Sequence, residues 1–209
     1  MSILKTLTYI NENPPSLNLS LYHQIDINIK KKNNMETKWA IDNMHSEIGF
    51  KVKHMMITNV SGTFGQFTAN ATTTGDDFST ANFDFSAAVD SINTGVADRD
   101  GHLKSDDFFN AEAYPSITFK STGVTKKDDE NYVIAGELTV RDVTKHIELA
   151  AEFGGIVVDP YGQTKAGLSL SGKIKRSEFG LKWSAITEAG SIVVSDDIKL
   201  NAEVQLIKQ

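Results

Sequence analysis

The chain contains no cysteine, which removes disulfides, thiolate metal ligands and a cysteine nucleophile together. No run of about 18 apolar residues occurs in it, so nothing spans a bilayer as a helix and no integral membrane segment is expected. Cation is in deficit: 21 Lys and Arg face 27 Asp and Glu, for a formal net charge of −6. Nucleic-acid affinity comes largely from clustered Lys and Arg, so a nucleic-acid partner is not expected. Only three of the basic residues are arginine: Arg99, Arg141 and Arg176. Catalytic signatures are missing as well. There is no Gly-x-Ser-x-Gly, no P-loop, no Gly-x-Gly-x-x-Gly, and the histidines His23, His45, His54, His102 and His146 show neither His-x-His nor His-Glu-x-x-His spacing. The adjacent carboxylates Asp106-Asp107 and Asp128-Asp129 read as loop residues. No enzyme, metal or cofactor is indicated.

Composition shifts at Met35. All 15 glycines and all 11 phenylalanines follow it, whereas residues 1–34 hold the Pro14-Pro15 pair and the Lys30-Lys31-Lys32 run. Polar residues interrupt Leu4, Leu7 and Ile10, so there is no continuous apolar core of a signal peptide. The expectation is a leader over 1–34 that is non-native or loosely attached, with Met35 the true start and a cytoplasmic location in that case. An extra edge strand is the alternative, because Leu17, Leu19, Leu21 and then Ile25, Ile27, Ile29 alternate.

Over 35–209 the hydrophobic period is two. Eight stripes stand out: Ile48-Phe50-Val52; Phe67-Ala69-Ala71; Phe83-Phe85-Ala87-Val89; Ile117-Phe119; Tyr132-Ile134-Leu138-Val140; Ile147-Leu149-Ala151-Phe153; Ala166-Leu168-Leu170-Ile174; and Ile198-Leu200-Ala202-Val204-Leu206. Each alternates with polar residues, the signature of strands with one buried and one wet face. Turn chemistry separates them at Thr74–Asp77, Lys127–Asn131 and Asp159–Gly162. Connections as short as Arg141–Thr144 force antiparallel neighbours. The exception is Asn93–Pro115, where a short helical insert is expected over about 96–110, with Ser105 as an N-cap. This predicts an all-β fold, an eight-stranded antiparallel barrel, since closure removes the edges a sandwich would expose.

Such a barrel either is filled by side chains or holds one small ligand. The inward stripes mix large residues with Ala69, Ala87, Gly136, Ala151, Gly172 and Ala202. Two readings stand: a retained apolar cavity, or phenylalanines interdigitating with those small residues at normal density. Arg99 and Arg176 are either a polar clamp for a ligand headgroup or ion-pair partners that fix the insert. Arg141, on a hairpin tip, reads as solvated. His54 extends the first inward stripe and reads as a structural histidine at a barrel end.

An ordered set of motifs then resembles one family. It begins with Trp39-Ala40-Ile41-Asp42, His45-Ser46, Lys53-His54-Met55 and Val60-Ser61-Gly62-Thr63-Phe64. Arg99-Asp100-Gly101-His102-Leu103, Asp106-Asp107-Phe108-Phe109 and Tyr114–Phe119 follow, and Gly136–Val140 and Arg176-Ser177-Glu178-Phe179-Gly180 complete it. From Trp39 onward the chain is similar to the YceI-like family of polyisoprenoid-binding, lipocalin-like proteins. The resemblance implies a lipocalin-like barrel with a hydrophobic tunnel for a polyisoprenoid or a fatty acid or amide, in a homodimer, without catalysis. It implies a tunnel lining of Phe50, Phe64, Phe85, Ala87, Phe108, Phe119, Leu138, Ala151 and Leu168, and it raises His54, Arg99 and Arg176 as headgroup contacts. Two departures are visible. Asp142 stands where many relatives have glycine, and the export signal that takes many relatives to the periplasm is not found. An enzyme acting on a lipid-like substrate, or a packed structural module, is the competing reading.

Overall fold

A computed structural model describes residues 35–185 and 193–209; the leader expected over 1–34 lies outside the described residues. Among the described residues eleven strands form: β1 (Glu36–Ile41), β2 (Glu47–His54), β3 (Thr58–Phe64), β4 (Phe67–Thr74), β5 (Asp77–Ala88), β6 (Ile92–Asn93), β7 (Ser116–Lys126), β8 (Asn131–Val140), β9 (Val143–Val158), β10 (Thr164–Lys175) and β11 (Val194–Lys208). Among the described residues one α-helix, α1 (Ala97–Lys104), follows β6.

The eleven strands make eight staves. β1 and β2 lie in succession along one edge of β11, pairing Trp39 with Lys208 and then Ala202 with Ile48. β3 and β4 follow along β2 and β1, and β6 and β5 along β3 and β4. β7, β8, β9, β10 and β11 continue the meander, and β1–β11 pairing closes it. The result is the predicted eight-stranded antiparallel barrel, one stave for each hydrophobic stripe.

The first three staves break at one level. Stave one bends through a 3-10 turn at Asn43–His45 capped by Asp42, stave two at Gly65-Gln66, stave three through a 3-10 turn at Val89–Ser91. The breaks support each other: Gly65 N–H donates to Ser91 O at 3.0 Å, Ala88 N–H to Gln66 O at 2.9 Å, and Asn43 Nδ2 to Phe67 O at 2.7 Å. Groups released from the ladder are thus paired again rather than buried unmet.

Helix α1 is polar, with Asp98 and Asp100 in its first turn and His102 and Lys104 in its last, matching the helix dipole. Ser105 ends this helix rather than starting one. Its N–H and Oγ both donate to His102 O, and the following residues are turns. The acidic residues after Ser105 suggested a second helical start, but Phe108 and Ala111 are drawn into the barrel mouth, at 7% and 8% exposed.

The barrel has unlike ends. At the lower end Trp39, Phe78, Phe153 and Tyr132 form a chain of rings with centroid separations of 5.1, 4.9 and 6.1 Å. Trp39 Nε1 donates to Thr73 Oγ1 at 2.9 Å, so the plug leaves its one buried donor satisfied. At the upper end lie the β2–β3 turn, the α1 insert, the β8–β9 turn and a 3-10 turn at Arg176–Phe179.

Candidate functional site

Between the plug and the insert runs a cavity of about 240 Å3. Its wall is built from the inward residues of the staves, which alternation aims at the axis. Of the residues expected there, Phe50, Phe64, Phe85, Ala87, Phe108, Phe119, Leu138 and Leu168 face it. Ala151 does not. It is 3% exposed on an inward stripe, opposite Tyr132, which does not line the cavity, and Leu170, which does, so its methyl is covered at the cavity's border. Period two fixes the face of a residue and says nothing of its height along the axis.

The small residues divide in a way that alternation cannot show. Glycine gaps are filled: a Cβ on Gly136 would meet the Phe119 ring and stand 2.5 Å from Lys120 O, and one on Gly172 would meet Leu149 Cδ2 at 2.6 Å. Alanines Ala69, Ala87 and Ala202 instead leave wall open to the cavity.

The roof comes from parts the stripes do not cover. Leu103, Phe108 and Phe109 descend from the insert, and Phe179 and Leu181 from the segment after β10. Phe179 is 1% exposed. The sequence signal for these was present, aromatic or aliphatic residues inside two otherwise polar connections.

Three basic side chains hold the roof. Arg176, 7% exposed, is the one expected headgroup residue that reaches the wall. Its Nη1 donates to Leu181 O and Trp183 O at 2.6 Å each, Nε to Ser195 O at 3.0 Å and Nη2 to Val194 O at 3.3 Å. Burial pushes its pKa down and nearby Asp196 partly opposes this. Arg141 is the second, and the expectation of a solvated tip is corrected. Its side chain is 18% exposed, with Nη2 on Asp106 Oδ1 at 2.9 Å, Nη1 on Phe108 O at 3.1 Å, and the guanidinium 5.3 Å from the Tyr114 ring centroid. The tight turn it occupies takes its left-handed φ of 56° at Arg141 and not at Asp142. His102 is the third. Its Nε2 meets Asp107 Oδ2 at 2.9 Å and its ring stands edge-on to Phe108 and Trp183, 5.1 and 5.2 Å away.

Arg99 and His54 do not line the cavity. Arg99 donates through Nε to Thr94 Oγ1 at 2.7 Å and through Nη2 to Thr94 O at 2.8 Å, while Thr94 bonds Asp100. It therefore ties the start of α1 to β6, through a threonine rather than an ion pair. His54 pairs with Thr58 and Val194 at the upper rim.

Polar side chains are sparse in the wall. Apart from Arg176, the polar residues contributing are Asp84, Ser171 and Asn201, and the first two expose their side chains to solvent. Among the described residues no three His, Asp or Glu side chains gather as a metal site would require.

Comparison with known proteins agrees with this architecture. The YceI-like domain family matches residues 39–206. A UPF0312 protein of Staphylococcus aureus is 34% identical over 170 residues, covering 81% of this chain and 96% of that one. One from Staphylococcus epidermidis is 35% identical over the same length and shares. Among solved structures, a Campylobacter jejuni YceI protein superposes with a TM-score of 0.64 at 39% identity, over 75% of this chain and 90% of the other. A polyisoprenoid-binding domain from Saccharophagus degradans shares the fold, with a TM-score of 0.61 at 14% identity over 82% and 98% of the two chains. By sequence and by fold, the chain belongs to the YceI-like family.

Proposed function

We propose that this barrel binds a long-chain amphiphile, a polyisoprenoid or a fatty acid or amide, and carries or sequesters it without chemical change. The observation that carries this reading is the cavity itself: about 240 Å3 walled almost wholly by apolar side chains. At about 24 cal/mol per Å3, leaving 240 Å3 empty costs about 6 kcal/mol, comparable with the ~5–15 kcal/mol by which domains are stable at all. A hydrocarbon chain filling it recovers about 0.8 kcal/mol per buried CH2, less the entropy of ordering the chain. The relative from Saccharophagus degradans, described as a polyisoprenoid-binding domain, supports the same class of ligand.

The size also constrains how the ligand enters. The bore exceeds the ~150 Å3 apolar cavity that accepts benzene and falls short of the ~300 Å3 at which ligand pockets usually begin. A long chain therefore enters by turning roof rings such as Phe108 and Phe109 aside, with the aromatic plug setting how deep it goes. Non-enzymatic action is supported by the wall's chemistry, since its one buried charged group, Arg176, is committed to four carbonyls. A homodimer belongs to the same proposal.

Native mass spectrometry of the purified protein tests it. A bound mass that organic extraction releases, and that a polyprenyl or fatty acyl probe restores, is the expected result. A protein that purifies empty and takes up neither probe would overturn the reading.

A further inference from the structure

The outer surface of the upper end carries two features that do nothing for the fold. The first is the β2–β3 turn. Met55, Met56 and Ile57 project from it at 39%, 57% and 74% exposed. Ile57 N–H donates to His54 O at 3.2 Å, closing a turn whose two central residues, Met55 and Met56, have φ of 49° and 61°. A turn with both central residues left-handed favours Asn-Gly. Two methionines there pay backbone strain to hold apolar side chains in water.

The second feature lies on the strands directly below. Lys51 on β2 sits opposite Lys199 on β11, and Lys199 opposite Lys173 on β10. Lys53 and Lys175 continue the patch toward the turn, and all five are exposed. Two acids are set among them, Asp197, 3.0 Å from Lys173, and Asp196, which feels the charge of Lys175. Like charges directly opposite on a sheet are destabilising, and this cluster stands on a chain of net charge −6. Farther down the same strands the outward pair is Glu47 with Glu203. The opposite end of the barrel also exposes apolar residues, Val157, Val158 and Tyr161. Its hairpins, however, carry Asp76, Asp77, Asp128, Asp129, Glu130 and Asp159.

We infer that the upper end is a docking surface for an anionic phospholipid bilayer, with Met55, Met56 and Ile57 entering the headgroup region and Lys51, Lys53, Lys173, Lys175 and Lys199 meeting lipid phosphates. An apolar tip beside a lysine cluster is the pairing that binds such surfaces, the apolar part by burial and the cations by attraction. Carboxylates occur at both ends, Asp106 and Asp107 of the insert among them, so it is the apolar tip with its adjoining lysine cluster that turns this side of the roof toward the bilayer. Val52, Val194 and Ile198, at the base of this tip, line the cavity. Docking would therefore set the roof where a hydrocarbon chain leaves or enters the membrane. That transfer step rests on the proposed function; the docking surface does not.

The test uses the full chain and vesicles of phosphatidylcholine with or without phosphatidylglycerol. Cosedimentation is expected with the anionic vesicles and not with phosphatidylcholine alone, and it should fade as salt rises. The absence of native cysteine allows Met56→Cys to be labelled with an environment-sensitive dye, whose emission should shift blue on the anionic vesicles. Replacing Lys51, Lys173 and Lys199 by Gln should weaken partitioning on the order of 100-fold. Met55→Asn with Met56→Gly should raise Tm, because it relieves the turn, yet weaken partitioning about tenfold. Gain of stability with loss of binding separates docking from misfolding. Val157→Ser with Tyr161→Ser should change nothing. Failure of the parent protein to bind anionic vesicles would overturn the inference while leaving ligand uptake untouched. So would binding that survives both upper-end variants, or a tip-dependent dimer, seen by light scattering, that ignores vesicles.

Discussion

Ala87→Phe sets the cavity against the alternative of a filled barrel. Ala87 is 1% exposed on β5 and its methyl faces the bore. A cavity of ~150 Å3 accepts one benzene ring, so a phenyl group at this site takes up about 150 of the 240 Å3, or roughly 60%. At about 24 cal/mol per Å3 that returns about 3.6 kcal/mol to the ligand-free protein, against about 1–3 kcal/mol of strain from seating the ring. The net expectation is a ligand-free protein more stable by about 0.6–2.6 kcal/mol, which for a chain of this size is a Tm rise of about 1–10 °C. Capacity for a stearoyl or polyprenyl probe should fall at the same time. Ala151→Phe is the companion. The Ala151 methyl is buried between Tyr132 and Leu170 and does not reach the cavity that Leu170 lines, so the same ring is expected to cost about 1–3 kcal/mol and to lower probe affinity of the folded protein less than Ala87→Phe does. Thermal unfolding of extracted protein and a fluorescence titration of each variant provide the readouts. If Ala87→Phe destabilised as much as Ala151→Phe and probe uptake were unaltered, the volume assigned to the bore would be wrong.

Gly136→Ala is expected to cost 2 kcal/mol or more in chemical denaturation, since the added methyl meets both the Phe119 ring and the Lys120 carbonyl; a neutral result would show that Phe119 does not lie against this glycine. Arg176→Ala leaves the carbonyls of Leu181, Trp183, Val194 and Ser195 without their donor, and a loss of about 3 kcal/mol or more follows, with hydrogen exchange rising first at Leu181 and Val194. Acid should loosen the same region. Burial tends to raise the Asp196 pKa, but the N–H and Oγ of Ser177 outweigh it and, with Arg176, hold it below the ordinary carboxylate value. A depressed native pKa contributes stability that is complete above the unfolded value near ~4 and disappears as pH falls through the lower native one. Asp196→Asn should therefore flatten the acid limb of the stability curve below about pH 4 and leave the neutral region parallel to the parent.

The barrel was legible because alternation is a local consequence of strand geometry: each of the eight stripes became one stave, in order, and the short turns enforced antiparallel neighbours. The breaks at Asn43–His45, Gly65-Gln66 and Val89–Ser91 were not, because they are fixed by hydrogen bonds between staves and not within one. The face of Ala151 was readable from its stripe, while its depth depends on how strands tilt and on where Trp39, Phe78 and Phe153 meet. Arg141 looked solvated because its partners, Asp106 and Phe108, are more than thirty residues away in sequence. Apart from Phe108, which was expected in the lining, the roof was hard to read for the same reason. Phe109 and Leu181 belong to segments with no regular period, and only the closed barrel shows that they share one mouth.

A homologous series of fatty acids, from octyl to octadecyl chains, measures the bore most directly. Calorimetric titration of extracted protein should show affinity rising about fourfold for each CH2, the equivalent of about 0.8 kcal/mol, until the tail reaches the aromatic plug. Beyond that length it should level off, and Ala87→Phe should move the plateau to shorter chains. Affinity independent of chain length, or no heat at any length at two well-separated temperatures, would contradict an apolar bore that takes up hydrocarbon.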